Sequence, residues 1–144
     1  QAPEEVVAQV KSVSCTAGPY RLKLPPTYRA LRALGPIKRE KTLRVEEGRT
    51  ELRSLRFSGL EFVVLVDPRK PNAYQVVAAT FSNRRWRIAG PLRVGAPLAA
   101  ALKGIDVAGV PRDAELTLEG EADSILLTVL AGRIQQVEYD CGGE

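Results

Sequence analysis

Among the 144 residues there is no histidine, and only two cysteines and one tryptophan are present. Without an imidazole the chain has no Ser-His or Cys-His nucleophile pair, no histidine acid–base catalysis and no imidazole-ligated metal. Cys15 and Cys141 stand near opposite ends, which excludes a CxxC redox motif or a cysteine-based zinc site. Long apolar runs are also missing. The stretch Phe62–Val66 is ended by Asp67-Pro68, far short of the ~18 apolar residues that a membrane-spanning helix needs. Gly90 and Gly95 are isolated and make neither of the glycine-rich phosphate-binding fingerprints. The expectation is therefore a chain with no metal and no cofactor.

What is present is ordinary globular composition, 44% apolar and 26% charged, enough for one packed domain over residues 1–144. Seventeen Asp and Glu residues leave a carboxylate-pair hydrolase formally open, with Glu119, Glu121 and Asp123 grouped around an expected turn. Their ordinary role there is to solvate a hairpin loop, so a non-enzyme is expected.

Charge is unevenly placed. Residues 1–93 carry 18 Lys and Arg against 8 Asp and Glu, and residues 94–144 carry 3 against 9. Such asymmetry marks either a contact with nucleic acid or an anionic surface, or attraction between the two halves, or plain solubility; the cations are scattered singly, which favours the last two. The densest cluster, Arg84-Arg85-Trp86-Arg87, follows Asn83. Trp and Arg are enriched in protein interfaces and also stack on bases, so these four residues are a candidate interface. The competing expectation is that Trp86 plugs a structural junction while the arginines are solvated or paired with the acidic half.

Cys15 and Cys141 each precede a polar or glycine-containing segment, Thr16-Ala17-Gly18 and Gly142-Gly143-Glu144, and that placement suits a disulfide joining the chain's two ends. A disulfide implies an oxidising compartment, periplasmic or extracellular; two buried free thiols in a cytosolic protein are the alternative. The start Gln1-Ala2-Pro3 has no initiator methionine and is what signal-peptide cleavage or a cloning boundary leaves. Ser12-Val13-Ser14-Cys15 is not a lipoprotein acylation site, because Glu4, Glu5 and Lys11 interrupt the apolar segment such a site requires.

Residues 4–15 place Val6, Val7, Val10 and Val13 at helical spacing behind Pro3 and two glutamates, and predict a helix, although the valine content favours a strand. Pro25-Pro26-Thr27 opens a second helix over Tyr28–Leu34, stopped by Gly35-Pro36. A charge-rich connection through Glu46-Glu47-Gly48 leads to strands over Thr50–Phe57, Leu60–Val66 and Tyr74–Ser82, the last two joined by a loop over Pro68–Asn72. A helix over Ala96–Lys103, ended by Gly104, precedes strands over Glu115–Glu119, Ser124–Leu130 and Arg133–Cys141, with Ala131-Gly132 as a two-residue turn.

The same order thus occurs twice. Leu24, Leu34 and Ile37 match Leu92, Leu102 and Ile105 at an offset of 68, and Val76, Ala79 and Phe81 match Ile134, Val137 and Tyr139 at an offset of 58. The predicted fold is α+β: two tandem helix-plus-three-strand units, residues 20–83 and 90–141, forming an antiparallel sheet with helices packed on one side.

The pattern Leu92-Arg93-Val94-Gly95, helix, Gly104 and a hairpin through Leu130-Ala131-Gly132-Arg133-Ile134-Gln135-Gln136-Val137 resembles the β-lactamase-inhibitor-protein-like and SmpA/OmlA-like group of exported bacterial proteins. The first unit departs from it, with Pro25-Pro26-Thr27 where a glycine is usual. The resemblance implies a periplasmic or secreted scaffold that binds another envelope protein and uses no cofactor. Nucleic-acid or anionic-surface binding by the basic first half is the alternative, and a histidine-free carboxylate hydrolase is the second.

Overall fold

The structure is a computed structural model and describes residues 3–142. Gln1 and Ala2 of the proposed cleavage site, and Gly143 and Glu144 at the other end, lie outside the described residues.

Eight strands form one sheet: β1 (Glu4–Gln9), β2 (Arg39–Val45), β3 (Glu51–Phe57), β4 (Leu60–Asp67), β5 (Lys70–Phe81), β6 (Ala114–Glu119), β7 (Asp123–Leu130) and β8 (Arg133–Cys141), in the order β1-β6-β7-β8-β5-β4-β3-β2. All pairs are antiparallel except β1 with β6. Two helices, α1 (Tyr28–Arg32) and α2 (Leu98–Ala101), and a 3-10 turn at Glu47–Arg49 complete the regular structure. At 46% strand and 9% helix the chain is mostly β. The expected α+β fold built from tandem helix-plus-strand units is therefore corrected to a single eight-stranded sheet.

The correction has local causes. Residues 4–9 form strand β1 where a helix was expected. Val6, Val7 and Val10 fit the helical period and only Val6 and Val10 share a face at period two, but β-branched side chains lose rotamer freedom in a helix and fit a pleated surface; pairing with β6 turns Val6 and Ala8 toward the core and leaves Val7 exposed. Strand β2 lies in what reads as a polar connection. All seven of its residues are exposed, so no apolar alternation marks it, and it is held by its ladder to β3. The two helices are shorter than their patterns, five and four residues, below what propensity alone sustains in water. The Pro68–Asn72 loop contracts to a Pro68-Arg69 turn, because β5 already begins at Lys70.

Alternation along each strand fixes the two faces. Leu60, Phe62, Val64 and Val66 of β4 are buried while Glu61, Val63 and Leu65 between them are only partly so; β6, β7 and β8 alternate in the same way. The buried face is covered by residues from two crossing segments, Val13, Cys15, Tyr20, Leu22, Tyr28 and Leu31 from the first and Ala89, Leu92, Leu98, Ala101 and Leu102 from the second. Aromatic rings run through this core edge to face, Phe57 on Phe62, Phe62 on Phe81 and Phe81 on Tyr139. Among the described residues no element covers the opposite face.

Candidate binding groove beside the disulfide

The segment after β1 is pinned at successive points. Val10 N–H donates to the Glu119 carbonyl at 2.8 Å, Cys15 N–H to Asp123 Oδ2 at 2.8 Å, Leu22 N–H to the Cys15 carbonyl at 2.9 Å and Lys23 N–H to the Ile88 carbonyl at 2.9 Å. The buried Tyr139 hydroxyl donates to the Tyr20 carbonyl at 2.6 Å, and burial raises its pKa. Cys15 and Cys141 are bonded to each other across 126 residues of sequence, both buried. The expected pairing is thus present, and it ties this segment to the end of β8.

A groove of about 500 Å³ opens beside the disulfide. Leu22, Leu24, Pro25 and Pro26 line one wall, Tyr74, Gln75 and Val76 of β5 another, and Cys15, Cys141, Ser14, Thr16, Ala122 and Asp123 the end. The Tyr74 hydroxyl donates to the Pro25 carbonyl at 2.5 Å and so fixes one wall to the other. Among the described lining residues Asp123 is the only charged one, and one of its carboxylate oxygens is committed to Cys15 N–H. An apolar concavity with a few convergent polar groups is the usual form of a binding site.

Adjacent to the groove lies a polar cluster beneath α1. Thr27 caps the helix by accepting from Ala30 N–H. The Tyr28 hydroxyl donates to Glu40 Oε2 at 2.6 Å, and Arg32 donates to Glu40 Oε1 through Nε at 3.2 Å and Nη2 at 3.0 Å. Arg53 lies over the Tyr28 ring, 5.6 Å from its centroid, and donates to Glu51 Oε1 at 2.9 Å. Burial, then the Glu40 carboxylate, pushes the Tyr28 hydroxyl up to about 12. Burial opposes the Glu40 charge, yet hydrogen bonds from Tyr28 and Arg32 and the charges of Arg32 and Arg53 hold its pKa below the ordinary value.

The structure separates the four residues of the expected interface. Trp86 turns inward: its indole N–H donates to the Ser58 carbonyl at 2.7 Å, its ring packs on Phe57 with centroids 5.7 Å apart, and it closes on Gly35. Arg84, Arg85 and Arg87 are exposed. Arg85 lies over Trp86 and Arg84 over Gly95, and none of the three makes an ion pair among the described residues. Among the described residues the ion pairs that form, such as Arg32–Glu40, Arg53–Glu51 and Arg56–Glu61, join residues 32–69 to one another and do not cross to the acidic half. Glu119 accepts from Gln9 Nε2 at 2.7 Å and Asp123 from Cys15, so both turn carboxylates hold β1 and its following segment in place. Among the described residues no three His, Cys, Asp or Glu side chains are grouped for a metal, and no helix is long and apolar enough to cross a membrane. The groove went unread because its walls come from residues 14–26, 74–76 and 122–141, which no local pattern links; the Pro25-Pro26 pair was its only local signal.

The chain matches no protein-family model, no curated protein and no solved structure.

Proposed function

We propose that this chain is a non-enzymatic protein of an oxidising compartment, periplasmic or extracellular, and that it binds another polypeptide. The observation that carries this is the buried Cys15–Cys141 disulfide forming the end of an apolar groove. Such bonds persist outside reducing compartments, and the same bond holds the groove's walls in place before any partner arrives, which lowers the ordering cost of binding. The likeness of the Leu92–Gly95 and Leu130–Val137 segments to exported scaffold proteins points the same way. With apolar walls and Asp123 as the only charge described there, the groove suits an apolar side chain next to a lysine or arginine of the partner. The ion pairs within residues 32–69 neutralise part of the basic half, which weighs against an anionic-surface binder.

The test is fractionation of the producing cells, thiol alkylation without reductant, and cross-linking to a partner from the same compartment. Expected are an extracytoplasmic protein with no alkylated cysteine, and a cross-linked partner lost when the exposed groove residue Pro26 is changed to Glu. A cytosolic protein with both thiols alkylated, or cross-linking indifferent to Pro26→Glu, overturns the proposal.

A further inference from the structure

The uncovered face of the sheet sorts its charges by strand. Register and burial put Arg39, Lys41 and Arg44 of β2 and Arg56 of β3 on that face. Glu40, one residue out of phase, points to the covered side, where it meets Tyr28. Toward the other edge the same face carries Glu5 of β1, Glu115 and Glu119 of β6, and Glu138 and Asp140 of β8. The two acids of β4 on this face are both paired, Glu61 with Arg56 at 3.5 Å and Asp67 with Arg69 at 3.1 Å, and Arg44 meets Glu46 just past β2. Arg133, at the β7–β8 turn of the acidic side, is held to the Gly95 carbonyl at 2.9 Å.

Two features show that the isolated chain does not optimise this face. Arg39 stands directly opposite Arg56, and Glu5 directly opposite Glu115; like charges in directly opposed positions destabilise a sheet. Inward of the basic strands lie the partly buried Val63 and Leu65 of β4 and Ala78 of β5, and Leu126 of β7 lies among the acidic strands, apolar positions with no described cover.

We propose that this face closes on a second copy of the chain. Rotation by half a turn about an in-plane axis parallel to the strands exchanges the two edges, so it lays the basic β2–β3 zone of one copy on the acidic β1–β6 zone of the other. The basic and acidic zones then face each other as two layers of a sandwich, with Lys41 opposite the Gln9–Glu119 rung and the Arg39–Arg56 rung two residues, about 7 Å, along the strands from the Glu5–Glu115 rung. An in-plane axis across the strands sets like on like, so charge selects the first arrangement. With strands about 4.8 Å apart and about 3.3 Å of rise per residue, the sheet presents roughly 35 by 20 Å, about 700 Å², close to the ~800 Å² per partner of a standard interface. The groove lies on the covered side and stays open in such a dimer, so this inference does not depend on the function proposed for it.

Sedimentation equilibrium of the oxidised protein, with two charge reversals, tests it. One variant carries Arg39→Glu and Lys41→Glu, the other Glu115→Lys. Arg39→Glu sets a carboxylate opposite Arg56, and Glu115→Lys sets an ammonium opposite Glu5, so each reversal turns a like-charge pair into an opposite one and neither threatens the fold. Circular dichroism checks this. The wild type is expected to dimerise with a Kd that rises about tenfold or more between low ionic strength and ~0.5 M salt. Each variant alone should dimerise at least about tenfold more weakly, and their equimolar mixture should recover a one-to-one dimer. A wild type that stays monomeric up to about 1 mM, a dimer insensitive to both variants, or a mixture that fails to associate overturns the proposal.

Discussion

Glu40 is held by two donating groups of α1, the Tyr28 hydroxyl and the Arg32 guanidinium, together with the nearby charge of Arg53 on β3. Its folded pKa lies below the ordinary value of 4.5, so the stability it adds is present above that value and is lost as pH falls through the folded pKa. Glu40→Gln is therefore expected to cost about 1 kcal/mol at neutral pH. Urea titrations of the two proteins across the acid range should show that gap narrowing below about pH 4.5. Tyr139 makes a different case, since its hydroxyl is buried and donates to the Tyr20 carbonyl. Tyr139→Phe leaves that carbonyl unpaired and should lower stability by about 1–3 kcal/mol, measured by the same titration. Gly59, at φ +71° in the β3–β4 turn, has no room for a Cβ, which would fall 2.1 Å from Asn83 Nδ2. Gly59→Ala should then destabilise by more than the ~1 kcal/mol of an unstrained exchange.

Among elements, strands with one buried face announced themselves. Arg133–Cys141 was legible residue for residue, since Ile134, Val137, Tyr139 and Cys141 face the core between exposed neighbours and Ala131-Gly132 supplies two positive φ angles for the turn. Strand β2 was illegible, because a strand paired on one side and exposed throughout carries its signal only in backbone hydrogen bonds to β3. Strand β1 was misread, because its valines fall at helical spacing and what makes the segment a strand is β6, more than 100 residues away. The residues matched at an offset of 58 fall on β5 and β8, which adjoin, with Thr80 opposite Glu138. Beyond that contact β8 runs on along residues 95–97, where Gly95 N–H donates to the Ile134 carbonyl at 2.7 Å and Ile134 N–H to the Ala96 carbonyl at 2.9 Å. Leu31, fully buried in α1, anchors that five-residue helix, and Leu31→Ala should cost about 2–5 kcal/mol in thermal or denaturant unfolding.

For the whole molecule the disulfide closes the ring that begins at Cys15, in the segment after β1, and returns along β8 to Cys141. In the chain-entropy model a loop on the order of 100 residues contributes about 4–5 kcal/mol. The paired Cys15→Ser and Cys141→Ser variant, or reduction, should lower stability by about 2–5 kcal/mol. It should also loosen the groove more than the far edge of the sheet, because β2 and β3 are held by their own ladder; hydrogen exchange resolved by residue would show this. Equal loss of protection at both places would mean that the bond stabilises the molecule without shaping the groove.

The sequence by itself determined that no imidazole chemistry is available and where six of the eight strands run, since each of these depends on residue type or on alternation within a few residues; it suggested the cysteine pair but left free thiols open, and the structure joins the two across 126 residues. Only the tertiary structure decided the fold class, the turning of Trp86 into the interior, the assembly of the groove, and the sorting of acids and bases onto opposite ends of one face. Those depend on which strands adjoin and in what register, and register is set by packing between segments that the chain holds far apart.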